Sequence, residues 1–210
     1  MTTKKDPQTI VISPPRFSRG TFLIEGISPY VGNRFAAKGD LMATQKAGSQ
    51  ARTKKKRSPK DFNALYENAK HLSPEGWCGM PAPAFRNGMI SACRLVGFKM
   101  TLAKLSVFIH EDGYDQDGLG IVRITNGRPK QVEHPVRNAN GSIDIRSRPM
   151  WAPGWQAKVL IEWDEDQFSL TDVTNLLSRV GRQVGIGEGR PDSKDSPGVG
   201  WGRFKVVSVS

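Results

Sequence analysis

Twenty residues near the end of the chain, GIGEGRPDSKDSPGVGWGRF (185–204), hold six glycines in two clusters. So much glycine, with two prolines, is incompatible with a regular helix or a central strand. Before this stretch, Leu170, Val173, Leu176, Leu177 and Val180 form a stripe at helical spacing. After it, RFKVVSV (203–209) has strand character. The glycine segment therefore reads as a long connection from a last helix to a last strand. That strand needs a sheet to pair with, and the rest of the chain must supply it.

The other segments fit that requirement. Residues 1–19 show no periodicity and read as a flexible arm, with a single domain over 20–210. TFLIEGISPYV (21–31) opens as a strand former and breaks at Gly26 and Pro29, giving a strand at about 20–26. Phe62, Leu65, Tyr66 and Ala69 predict a short helix. Within 76–98, Pro81 and Pro83 suit a helix start and Gly97 a stop. Between them Ala84, Phe85, Gly88, Met89, Ala92, Cys93 and Val96 make one stripe, with Gly88 and Ala92 allowing close packing on a sheet. KLSVFIHED (104–112) reads as a strand, GYDQDG as a turn and LGIVRITNG (119–127) as the partner strand. An insertion at 128–155 turns at Asn140–Gly141, and a strong strand follows at Ala157–Trp163. Ser169 and Asp172 then begin a helix as a weak capping box. The expected class is α+β: a ferredoxin-like β-α-β-β-α-β plan with a basic loop insertion at 36–60 and an inserted β region at 128–155.

The charge is uneven. The chain has 31 Lys and Arg against 20 Asp and Glu, a net +11. Residues 1–70 hold 14 basic and 5 acidic side chains, so the excess sits in the first third. Between Lys46 and Lys60 there are seven basic residues and no acid: Lys46, Arg52, Lys54, Lys55, Lys56, Arg57 and Lys60. With few large apolar residues, this segment predicts a solvated loop that phosphate would attract. No run approaches about 18 apolar residues, so no transmembrane helix is expected. The start lacks a hydrophobic signal core and Cys78 and Cys93 are not spaced as a metal pair, so a cytoplasmic protein with reduced thiols is expected.

The glycine segment fits neither of two familiar phosphate motifs. It lacks the lysine-plus-hydroxyl ending of a P-loop. It neither follows an early strand nor opens a helix, as a dinucleotide fingerprint must. What remains is a structural linker or a loop facing nucleic acid, with Gly185, Gly187, Gly189, Gly200 and Gly202 allowing close approach. Arg182, Arg190, Lys194 and Arg203 lie in or beside it and supply charge. In the 128–155 insertion, Arg146 and Arg148 precede Trp151 and Trp155, an interleaving that suits a base-stacking platform.

Gly185-Ile186-Gly187 and Gly200-Trp201-Gly202, placed between the last helix and last strand, resemble the glycine-rich loop of the RAMP superfamily, the repeat-associated RNA-binding proteins of CRISPR systems. Ile24, Gly26, Ser28 and Pro29, with Val184 to Pro191 and Gly202 to Phe204, resemble the two ends of small phage and prophage proteins. The resemblance implies a protein that binds single-stranded RNA or DNA, as a homo-oligomer along the strand or as a subunit of a nucleoprotein complex. Some RAMP families are endoribonucleases that use a histidine. The weak candidates here are His71, His110 and His134. None has ligand spacing, so no zinc site is expected. The acidic runs Glu111, Asp112, Asp115, Asp117 and Glu162, Asp164, Glu165, Asp166 lack the frame of a calcium loop. No metal and no cofactor is expected, and catalysis is the less favoured reading. A metal-independent endoribonuclease and a viral interaction or decoy factor are the alternatives.

Overall fold

A computed structural model describes residues 13–34, 60–137, 143–193 and 198–210. Its first strand, β1 (Phe17–Gly26), alternates strictly, with Gly20, Phe22, Ile24 and Gly26 buried and their neighbours partly exposed. It starts three residues earlier than predicted. β10 (Gln156–Asp164) pairs antiparallel with β1 and buries Ala157, Val159, Ile161 and Trp163 on the same face. β11 (Phe204–Val209) pairs with the other edge of β1. The far edge of β10 pairs with two strands, β5 (Val107–His110) along Leu160–Trp163 and β7 (Gly120–Asn126) at Gln156–Ala157. The sheet continues through β4 (Cys78–Pro81) to β3 (His71–Leu72). Every pairing is antiparallel.

A second, smaller sheet follows the order β2 (Tyr30–Val31), β9 (Ile143–Trp151), β8 (Lys130–Arg137). It contains the predicted insertion. The Asn140–Gly141 turn lies outside the described residues.

Four α-helices are described: α1 (Phe62–Asn68), α2 (Ala82–Ala92), α3 (Met100–Ser106) and α4 (Leu170–Arg179). Asp61 caps α1 through the Ala64 N–H, and Ser169 and Asp172 close a full reciprocal capping box on α4. Phe85, Met89, Ala92 and Cys93 meet Val173, Leu176, Leu177, Phe22, Ile24, Val159 and Ile161 in one core. The class is therefore α+β with helices over one face of an antiparallel sheet.

Several local expectations are corrected. Residues 78–81 are strand, so the helix expected from 76 starts only at Ala82, with Pro81 as its N-cap. The apolar stripe also runs past the helix into a 3-10 turn, Cys93–Val96, where Val96 is exposed. Gly88 packs on Val180 rather than on the sheet; an added Cβ would lie 2.8 Å from Val180 Cγ1. Lys104 to Ser106 belong to α3, and the strand begins only at Val107, where pairing with Trp163 of β10 starts. β5 pairs with β10, and the partner of β7 in the expected hairpin is instead β6 (Gly113–Tyr114).

His71 anchors this hairpin. Its Nδ1 lies 2.7 Å from Asp115 Oδ2, and Asp115 Oδ1 accepts the N–H groups of Asp117 and Leu119. Burial pushes the His71 imidazole below its usual value, over the opposing pull of Asp115. Burial acts to raise the Asp115 carboxyl, but His71 and the two backbone donors outweigh it and hold it low. Both folded values are depressed, so both contributions to stability are present above the unfolded values and lost as pH falls. For His71 the loss begins near the unfolded value of about 6.5. The melting temperature is expected to drop between about pH 7 and 5, and His71→Gln should flatten that drop. The same slope in the variant would disprove the assignment.

Candidate nucleic-acid interface

The glycine segment is folded against the protein's own opening turn. Glu188 N–H donates to Val31 O at 3.0 Å, and Gly202 N–H to Pro29 O at 2.6 Å. Ile27 N–H donates to Arg203 O at 2.9 Å, and Arg203 N–H to the buried Ser28 Oγ at 2.9 Å. Ile186 N–H reaches Gly202 O, which joins the two glycine clusters to each other. Sequence motifs about 160 residues apart thus form one backbone-bonded unit. The glycines serve this contact unequally. Gly187 has φ +80°, and a Cβ there would lie 2.6 Å from Val31 O. Gly202 has φ +69°, and a Cβ would run into the Ile186 carbonyl. Gly200, at φ +82°, has among the described residues only the Arg203 Nε, at 3.9 Å, beside such a Cβ.

A charged cluster closes the loop over the second sheet. Glu188 Oε2 accepts from Arg148 Nε at 2.8 Å. Its Oε1 lies 3.4 Å from His134 Nε2 and 3.9 Å from Arg146 Nη1. His134 and Arg146 are register partners on β8 and β9, and Arg148 follows two residues on, so all three point from one face. Trp201 stacks edge-on to His134 with centroids 5.3 Å apart. Burial acts to raise the Glu188 carboxyl, but His134 and Arg148 hold it below the usual carboxylate range. Sequence reasoning missed Glu188. Its one signal was an acid set between Gly187 and Gly189.

The remaining predicted residues divide. Arg190 donates to Gly187 O at 3.3 Å and Arg203 to Gly200 O at 3.2 Å, so both guanidiniums flank the loop. Lys60 pairs with Asp144 at the end of the second sheet. Arg182 lies exposed in a groove with Arg179, Val96 and Phe98 instead. Lys46, Arg52, Lys54, Lys55, Lys56, Arg57 and Lys194 lie outside the described residues.

The stacking platform expected at Trp151 and Trp155 is corrected. Their exposures are 2% and 1%, and both rings pack on Tyr30. Trp155 also donates from Nε1 to Ser28 O at 2.9 Å, under the glycine segment. The irregular MWAPGW stretch returns the chain from one sheet to the other, which buries both indoles where the sheets meet. Of the histidines, His71 is buried on Asp115 and His134 is held by Glu188. His110 lies 2.6 Å from Glu162 on the sheet face away from the core, and Arg19 reaches the same carboxylate at 3.3 Å. No group of three or more metal-ligating side chains occurs among the described residues, and none of their helices is long and apolar enough to cross a membrane.

No protein-family model matches the chain, and no curated protein matches it. Among solved structures it is similar to a chain of the type III-B Cmr-beta assembly bound to cognate target RNA, determined by cryo-EM. The TM-score is 0.57 at 10% identity, covering 92% of this chain and 60% of that one. The two share a fold. This chain spans 60% of its neighbour's length.

The packing predicts different outcomes for two glycines in the same motif. Gly202→Ala should cost at least about 2 kcal/mol, because backbone must move to admit the methyl. Gly200→Ala should cost about 1 to 2 kcal/mol, from its left-handed φ alone. Denaturant unfolding of both variants measures this. Equal losses would show that the Ile186 contact does not matter.

Proposed function

We propose that this protein binds single-stranded nucleic acid, RNA above all, as a RAMP-like subunit of a nucleoprotein complex. The observation that carries this reading is the shared fold with a chain from an RNA-bound assembly. The strand order supports it further. β1, α2, β5, β10, α4 and β11 read along the chain as β-α-β-β-α-β, and β11, β1, β10 and β5 lie side by side in that order, as in a ferredoxin-like unit. The glycine segment falls between α4 and β11, where the RAMP resemblance requires it.

In this reading Arg190, Arg203, Arg146 and Arg148 guide the strand past the exposed Val199, and the basic residues 46–60 add affinity without sequence preference. Copies of the protein side by side on one strand would account for the multimer that the RAMP resemblance implies.

Fluorescence anisotropy with labelled single-stranded RNA, single-stranded DNA and duplex, across a salt series, tests the proposal. Single strands should bind more tightly than duplex. Replacing Lys54, Lys55, Lys56 and Arg57 with Ala should weaken every single strand alike. It should also flatten log K against log salt by about 0.7 per lost phosphate contact. An unchanged slope would remove the basic segment from the interface. Absence of binding to any strand at about 50 mM salt would end the reading. A second reading, cleavage by a histidine, rests on His110, whose side chain is 35% exposed and bonded to Glu162. Intact RNA after incubation, on denaturing gels, would dismiss it.

A further inference from the structure

Three basic side chains, Arg148, Arg146 and His134, converge on the single carboxylate of Glu188. Three features of the cluster are unlike an ordinary stabilising ion pair. First, the acid comes from the glycine segment, whereas all three basic groups come from one face of the β8–β9 sheet. Second, the cluster sits near the surface: Arg148 and Glu188 side chains are 12% and 15% exposed, and Arg146 is 26% exposed. Third, among the described residues its hydrogen bonding is incomplete, since His134 Nδ1 is buried with no partner there. A cluster selected for stability alone would satisfy that atom or replace it with carbon.

Two oxygens bridging two guanidiniums reproduce what a phosphate oxygen pair offers to arginine. The Glu188 backbone is tied to Val31 O independently of its side chain. The docking of the loop therefore does not depend on the ion pairs of the Glu188 side chain. The nearest further acid on β9, Asp144, is bonded to Lys60 and also feels the charge of Arg146. Beyond Glu188, Gly200 N–H bonds to Gly189 O, so Gly200 and Arg203 lie next to the cluster in the folded loop.

We infer that Arg146, Arg148 and His134 form a phosphate site for the backbone of a single strand, and that Glu188 occupies this site as a built-in phosphate mimic until the strand displaces it. The inference rests on the nucleic-acid reading above and adds a specific site and a restraint on its affinity. Binding must break the Arg148–Glu188 bond, so strands that cannot reach the site are disfavoured.

Glu188→Gln keeps the shape and removes the competing charge. It should bind single-stranded RNA on the order of ten-fold more tightly at low salt. The slope of log K against log salt should steepen by a fraction of the about 0.7 expected for a full phosphate contact. Adding Arg148→Gln to Glu188→Gln should abolish the gain. If Glu188→Gln does not fold, Glu188→Asp keeps the charge but withdraws it by one methylene, and should show a smaller gain of the same sign. Wild-type affinity or weaker in the folded variant, while the wild type itself binds, overturns the mimic and leaves the wider reading standing. No binding by wild type or variant overturns both. Inorganic phosphate, against chloride at matched ionic strength, separates the sources. If it raises the melting temperature of Glu188→Gln while RNA affinity stays unchanged, the site takes a free anion and the inference fails.

Discussion

The Gly26–Val31 turn and the glycine segment hold each other in place, and much else follows from that contact. Trp155 fills the space beneath it, with its indole N–H on Ser28 O and its ring against Tyr30 and Phe204. A side chain at Gly26 would occupy the position of that indole. The contact couples the last strand to the first, sets the start of β11 and positions Glu188 over the second sheet. Backbone hydrogen bonds dominate it. Glycine tolerates such approach, and each amide is withdrawn from water only where a carbonyl or hydroxyl replaces it.

Charge is distributed in a way that the net figure hides. On the described surface many cations are already matched: Arg16 with Asp166, Arg19 with Glu162, Arg34 with Asp117, Lys70 with Glu67, Arg94 with Asp192 and Lys205 with Glu25. Such exposed pairs contribute little to stability, on the order of 0 to 1 kcal/mol each, but they neutralise the field. Of the acidic run at the end of β10, Glu162 and Asp166 are paired with cations, while Glu165 accepts from the Ser18 hydroxyl. In the glycine loop Arg190 and Arg203 donate to backbone carbonyls, and Arg190 also acts on the nearby Asp192 carboxylate.

Much of the fold was legible in one dimension. Period-two burial in β1 and β10, the α4 capping box and the Gly97 stop are local effects written by neighbours in sequence. The strand at β4 was not, because Cys78–Pro81 is short and its pairing with β7 is supplied by residues 40 positions away. The stripe that begins in α2 misled at Val96 for a related reason: apolar spacing says that a face exists, not that something covers it. Trp151 and Trp155 looked like surface aromatics in an irregular segment, yet they sit where two sheets abut. No local pattern shows where two sheets will meet.

The sequence by itself determined that a long glycine-rich connection precedes a terminal strand, that helices and strands alternate in an α+β order, and that positive charge concentrates before the first main helix. These depend on propensity, periodicity and counting, which act over a few residues. Only the tertiary structure decided which glycines face inward, that both tryptophans are core, and that Glu188 meets Arg146, Arg148 and His134. Those outcomes depend on pairing register and on packing between segments far apart in the chain, where a shift of one residue would turn every side chain of β8 and β9 to the opposite face.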